Sequence, residues 1–127
     1  MNARTVLVAE DSIQIRYLIR YLLEREQYRV ELACDGREAE QLIGTLARPS
    51  LVLLDIMLPF VDGFQLLERI RSRSDWAGVP VVMLTGKLQE HDIERALQAG
   101  ASDYVLKPFQ PNELVALVKR LASPDAA

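Results

Sequence analysis

Two carboxylates, Glu10 and Asp11, stand side by side directly after the apolar run "VLVA". A third, Asp55, closes the run "SLVLLD", and Thr85 closes "VPVVMLT". Lys107 and Pro108 follow the short segment "SDYVL". Like charges at the ends of apolar segments repel one another. Two charges about 4 Å apart interact with roughly 4 kcal/mol at an effective dielectric of about 20, so three converging carboxylates would cost several kcal/mol unless neutralised. Proton sharing or Lys107 can relieve this, and a divalent cation would do it best. An all-oxygen site with few protein ligands suits Mg²⁺, with Mn²⁺ as a substitute. A cation and a lysine flanking one carboxylate also suit phosphoryl transfer, in which catalysis is mostly positioning and charge neutralisation. Asp55 can then attack phosphorus as a carboxylate nucleophile and become an acyl phosphate. Thr85 can donate its hydroxyl to one phosphoryl oxygen while Lys107 pairs with another.

Hydrophobic periodicity supplies the elements that would position these groups. Thr5–Ala9, Ser50–Asp55 and Val79–Thr85 are continuous apolar runs, as strands buried on both faces would be. Tyr28–Ala33 alternates and reads as a weaker, more exposed strand, and Ser102–Leu106 as a short one. Ser12 can cap a helix running to about Glu26. Further helices are expected over about Gly36–Ala47 with Ala39, Leu42, Ile43 and Leu46 on one stripe, and from Gly63 with Leu66, Leu67 and Ile70. A fourth carries Ile93, Ala96 and Leu97 up to a left-handed C-cap at Gly100. A fifth opens at Pro111 and carries Leu114, Leu117, Val118 and Leu121. Five strands alternating with five helices predict an α/β fold, a doubly wound parallel sheet with helices on both faces. Open parallel sheets bind ligands at the carboxyl ends of their strands, where the strand order reverses. In the order 2-1-3-4-5 the first and third strands are neighbours, and the three carboxylates converge at one edge beside Thr85 and Lys107.

The 127 residues, half apolar and about a quarter charged, suit one globular domain, expected over residues 4–122 with 123–127 as a tail or the start of a linker. No apolar run approaches the roughly 18 residues of a membrane span, and no signal peptide is evident, so neither a membrane nor export is expected. The single cysteine, Cys34, fits a reducing cytoplasm and reads as a small buried hydrophobe. The net charge of −3 gives no footprint for direct nucleic-acid binding.

The segments "VLVAEDS", "LVLLDIMLPFVDG", "PVVMLTG" and "GASDYVLKPF" together resemble the receiver domain of two-component response regulators, the CheY-like family, over almost the whole chain. That resemblance implies the flavodoxin-like strand order 2-1-3-4-5. It implies that Asp55 accepts a phosphoryl group from the phosphohistidine of a sensor histidine kinase or a histidine phosphotransfer protein. It further implies Asp11, Asp55 and the backbone carbonyl of Met57 as direct Mg²⁺ ligands, with Glu10 acting through a coordinated water. Thr85 and Lys107 become the phosphate-contacting pair, Tyr104 the switch aromatic, and Lys107–Pro108 a cis peptide. Phosphorylation would draw Thr85 toward the new charge, turn Tyr104 inward and reshape the face made by the fourth helix, fifth strand and fifth helix. The implied protein is a signalling switch that catalyses only its own phosphoryl transfer and dephosphorylation.

Rival readings are a receiver fragment of a longer regulator, a flavin carrier, a receiver that binds partners without phosphorylation, and a metal-dependent phosphatase. The flavin carrier needs a phosphate-binding loop where Glu10 and Asp11 stand, and the phosphatase needs an acid where Met57 stands. Ile15 lies where receivers dock a phosphodonor but equally suits a core. Leu117 and Ser102 depart from the receivers that dimerise to drive winged-helix outputs. Met57 and Lys87 occupy positions that tune phosphoryl lifetime in the family. Trp76 is expected to cover a core edge, Asp62 to cap a helix, and His91 to be solvated.

Overall fold

The computed structural model describes residues 4–86 and 90–122, without the side chains of Glu90 and His91. The expectations for Lys87, for the His91 side chain and for the tail 123–127 lie outside the described residues. The strands are β1 (Arg4–Ala9), β2 (Tyr28–Ala33), β3 (Leu51–Asp55), β4 (Val81–Thr85) and β5 (Asp103–Leu106). The helices are α1 (Ile13–Arg25), α2 (Gly36–Thr45), α3 (Gly63–Ser72), α4 (Glu90–Gln98) and α5 (Pro111–Leu121). The strands form one sheet in the order β2-β1-β3-β4-β5, and every pairing is parallel.

The pleat divides the core. Leu7, Ala9, Val52, Leu54, Val81 and Met83 face one side and pack with Ala39, Ile43, Leu66, Leu67, Ile70 and Ala96 of α2, α3 and α4. Val6, Val8, Leu51, Leu53, Val82 and Leu84 face the other and pack with Ile19, Leu22, Leu23, Leu114 and Val118 of α1 and α5. All of β3 and β4 is buried, as expected of strands covered on both faces.

Local chemistry fixes where helices begin. The Ser12 side chain accepts from the Ile15 amide, and Asp35 accepts from Glu38. Asp62 and Gln65 form a reciprocal capping box at the start of α3. The end of α4 is a Schellman turn: Gly100 has φ 108, its amide donates to Leu97, and the Ala101 amide donates to Ala96. Arg71 completes that end by donating to the Gly100 carbonyl from Nε at 3.0 Å and from Nη2 at 2.7 Å.

Three expectations change. Cys34 is exposed, because it follows the last residue of edge strand β2 and leads into the Asp35 cap. Leu97 is 45% exposed, since α4 reaches the core through Ala96, and Ile93 is only half-buried. Trp76 is not an edge cover but fully buried, and its indole N–H has no acceptor among the described residues. The Arg73 guanidinium stacks over its ring at 4.8 Å.

Candidate functional site

Sheet register assembles the site. Ala9 pairs with Leu54, so the next residues, Glu10 and Asp55, leave the sheet together. Asp55 pairs with Leu84 and Thr85 pairs with Leu106, which sets Thr85 and then Lys107 one step further along the same edge. The Lys107 amide donates to the Thr85 carbonyl at 2.7 Å, which fixes that step. Side chains alternate across a pleated sheet. Glu10 therefore continues the face of Val6 and Val8, Asp55 that of Leu51 and Leu53, and Lys107 that of Val105.

These side chains meet. The Lys107 ammonium donates to Glu10 Oε1 at 3.1 Å, to Glu10 Oε2 at 2.9 Å and to Asp55 Oδ2 at 2.8 Å. Asp55 Oδ1 accepts from the Met57 amide at 2.9 Å, and Glu10 Oε1 also accepts from the Ser12 amide at 3.2 Å. Glu10, Asp55 and Thr85 are buried, while Asp11 is exposed. Each of Glu10, Asp11 and Asp55 has a carboxylate oxygen within 4.8 Å of the others. Thr85 lies at the carboxyl end of β4 in the same edge, and the Lys107–Pro108 peptide is cis.

The Lys107 ammonium bonds two of the three carboxylates, and Glu10 titrates well above its ordinary value. Burial pushes its carboxyl up to about 7; the hydrogen bond from Lys107 opposes this and the neighbouring Asp55 adds to it. Burial alone would lower the Lys107 ammonium, but its hydrogen bonds to Asp55 and Glu10 outweigh that and hold it above the ordinary value. Uncompensated negative charge on hard oxygen donors is the chemistry of a divalent-cation site. The acid cluster fits such an ion.

The chain matches the model of the response regulator receiver domain over residues 6–119. It belongs to that family. It is 40% identical over 120 residues to the transcriptional regulatory protein ResD of Bacillus subtilis, covering 94% of this chain and 48% of that protein. It is likewise 40% identical over 117 residues to the phosphate regulon regulatory protein PhoB of Escherichia coli, covering 92% of this chain and 51% of that one. The chain thus spans about half the length of the curated relatives it matches. Among solved structures, the chemotaxis response regulator CheY4 of Vibrio cholerae superposes with a TM-score of 0.88 at 31% identity, covering 94% of this chain and 99% of that one. The receiver domain of the sensor histidine kinase PA1611 of Pseudomonas aeruginosa superposes at 0.86 with 32% identity, covering 95% and 98%; its structure has a magnesium ion coordinated in the active-site cleft.

The remaining expected residues take varied places. Met57 presents its side chain to solvent, 77% exposed, beside the acid cluster. Tyr104 is 36% exposed on β5. Ile15 and Leu117 are half-buried and pack against the α1–α5 side of the core. Sequence reasoning did not single out Arg16, whose Nη1 donates to the carbonyls of Glu10 at 2.9 Å and Asp11 at 3.0 Å. The available signal was its place one helical turn after the Ser12 cap, from which a long side chain reaches back over the β1–α1 turn.

Proposed function

We propose that this receiver domain is a Mg²⁺-dependent phosphorylation switch whose phosphoacceptor is Asp55. The observation that carries the reading is the Lys107 ammonium held between two buried carboxylates, Glu10 and Asp55, with Asp11 alongside. Asp11, Asp55 and the Met57 carbonyl would hold the ion directly, and Glu10 would act through a coordinated water. When bound, Mg²⁺ supplies positive charge to the phosphoryl oxygens and lowers the repulsion between donor and acceptor.

Asp55 is fixed before reaction by the Met57 amide on one oxygen and Lys107 on the other. A carboxylate oxygen of Asp55 forms a new O–P bond as the N–P bond of a phosphohistidine breaks, and the departing imidazole keeps the bonding pair and takes a proton. Lys107 then pairs with a phosphoryl oxygen, and Thr85 donates its hydroxyl to another. The donor is a sensor histidine kinase or a histidine phosphotransfer protein. The chain acts on no external substrate: it catalyses its own phosphorylation and the hydrolysis that reverses it. Phosphorylation replaces the single charge of the Asp55 carboxylate with nearly two on the phosphoryl group and adds new acceptor oxygens. The movement of Thr85 toward them, followed by Tyr104, alters the α4–β5–α5 face.

Incubation with acetyl phosphate and Mg²⁺, followed by intact-mass measurement, tests the reading. A gain of one phosphoryl group that Asp55→Asn abolishes supports it. An unchanged mass for the wild-type protein with Mg²⁺ in excess overturns it.

A further inference from the structure

We propose that Arg16 is a positioning residue for the cation site: it orients the Glu10 and Asp11 carboxylates by anchoring the backbone that carries them. The inference rests on the reading of the acid cluster as a Mg²⁺ site.

One nitrogen of Arg16, Nη1, donates to the carbonyls of both acidic residues, Glu10 at 2.9 Å and Asp11 at 3.0 Å. The peptide joining Asp11 to Ser12 is therefore held at both ends. Its oxygen accepts from Arg16, and its N–H donates to Glu10 Oε1 at 3.2 Å. A chain of contacts runs from the guanidinium, through one peptide plane, to the carboxylate that also receives two bonds from Lys107. The Glu10 amide is tied separately, donating to the Ala33 carbonyl at 3.0 Å. Asp11 gains most from this anchoring. It is exposed, so its backbone largely sets where its carboxylate points.

Arg16 also carries a positive charge beside a site for a cation, and this makes the role decidable by sign. If the guanidinium acted only through its charge, removing it would tighten Mg²⁺ binding by relieving repulsion. If it acts by holding the turn, removing it loosens the acid pair and weakens binding. Residues that orient metal ligands typically change affinity by about 10-fold or more when replaced.

The test is calorimetric titration of the metal-free protein with MgCl₂ at fixed pH and ionic strength, for wild type, Arg16→Gln and Arg16→Lys. The expected result is binding weaker by about 10-fold in Arg16→Gln, with Arg16→Lys in between because one ammonium can still reach a carbonyl. Amide exchange at Ser12 in the metal-free protein is expected to quicken in Arg16→Gln, a change that loss of charge alone does not produce. Affinity equal to or tighter than wild type in Arg16→Gln overturns the proposal. Should that variant fail to fold, the sign of the change in Arg16→Lys decides in the same way. Wild-type protein that takes up no Mg²⁺ overturns the functional reading and this inference together, whereas normal wild-type binding with unchanged variants overturns the Arg16 role alone.

Discussion

Glu10 is the residue whose chemistry is most displaced from the ordinary. Its carboxyl, held up to about 7 chiefly by burial, binds a proton in the folded protein that it releases near 4.5 when unfolded. Between those values the folded state holds more protons than the unfolded one, so stability falls as pH rises. The contribution is fully present below about pH 4.5 and lost as pH climbs through about 7. Urea unfolding of metal-free protein over that range is expected to show this decline, and Glu10→Gln should flatten it. A Glu10→Gln protein with the wild-type pH dependence would assign the decline elsewhere. On the proposed reading Mg²⁺ would compete with the same proton, so its affinity is expected to rise with pH through the same window. Asp55 contributes to the strain, since it is one of the groups that raise Glu10. Asp55→Asn removes a charge and keeps one oxygen for the Met57 amide, at the cost of turning its NH2 toward Lys107. It should melt at a higher temperature than wild type without metal and gain less on adding Mg²⁺. Identical melting curves for the two proteins, with and without the ion, would contradict the charge argument.

At the scale of elements, the site depends on strands ending in register and on helix ends that are firmly closed. The end of α4 is the clearest case. Gly100 takes φ 108, and a Cβ there would lie 2.9 Å from Arg71 Nε. Gly100→Ala is expected to cost about 1–2 kcal/mol from backbone conformation, with further loss if the guanidinium is displaced. Equilibrium urea denaturation measures it, and a variant as stable as wild type would mean the turn can re-form without left-handed geometry. Much of this level was legible beforehand, because periodicity and caps are local signals. Ser12, Asp62, Gly100 and Pro111 mark helix ends, and the apolar runs of β1, β3 and β4 mark central strands. The acids Glu10, Asp11 and Asp55 were legible because like charges at strand ends need an explanation. What escaped was set by partners far along the chain. Cys34 looks like a core residue until β2 is known to be an edge strand. Leu97 looks like part of a stripe until α4 is seen to approach the sheet through Ala96. The long arginines were the least legible, since their bonds go to backbone carbonyls: Arg71 to Gly100, and Arg16 to the acid pair.

Across the whole molecule, the acid edge and the exposed face of β5 and α5 are joined by a short covalent path. Tyr104 on β5 lies three residues before Lys107, and the Lys107 amide is bonded to the Thr85 carbonyl. A pull on Thr85 or Lys107 therefore reaches β5 directly. The other end of the α4–β5 connection is tied down. The Ser102 amide donates to Val81 at 2.7 Å, the Ala101 amide to Ala96 at 2.9 Å, and Arg71 holds Gly100 along with the Val79 and Ala77 carbonyls. Elements with little buried surface open and shift at low cost, while those with closed hydrogen-bond networks do not. Phosphorylation with acetyl phosphate and Mg²⁺ is thus expected to change hydrogen exchange at Tyr104–Leu106 and leave the amides of Ala101 and Ser102 as they were. Residue-resolved exchange before and after phosphorylation distinguishes the outcomes. Equal changes at Ala101 and Tyr104 would mean the connection moves as one piece, and no change at Tyr104 would mean that the charge on Asp55 is not transmitted along β5.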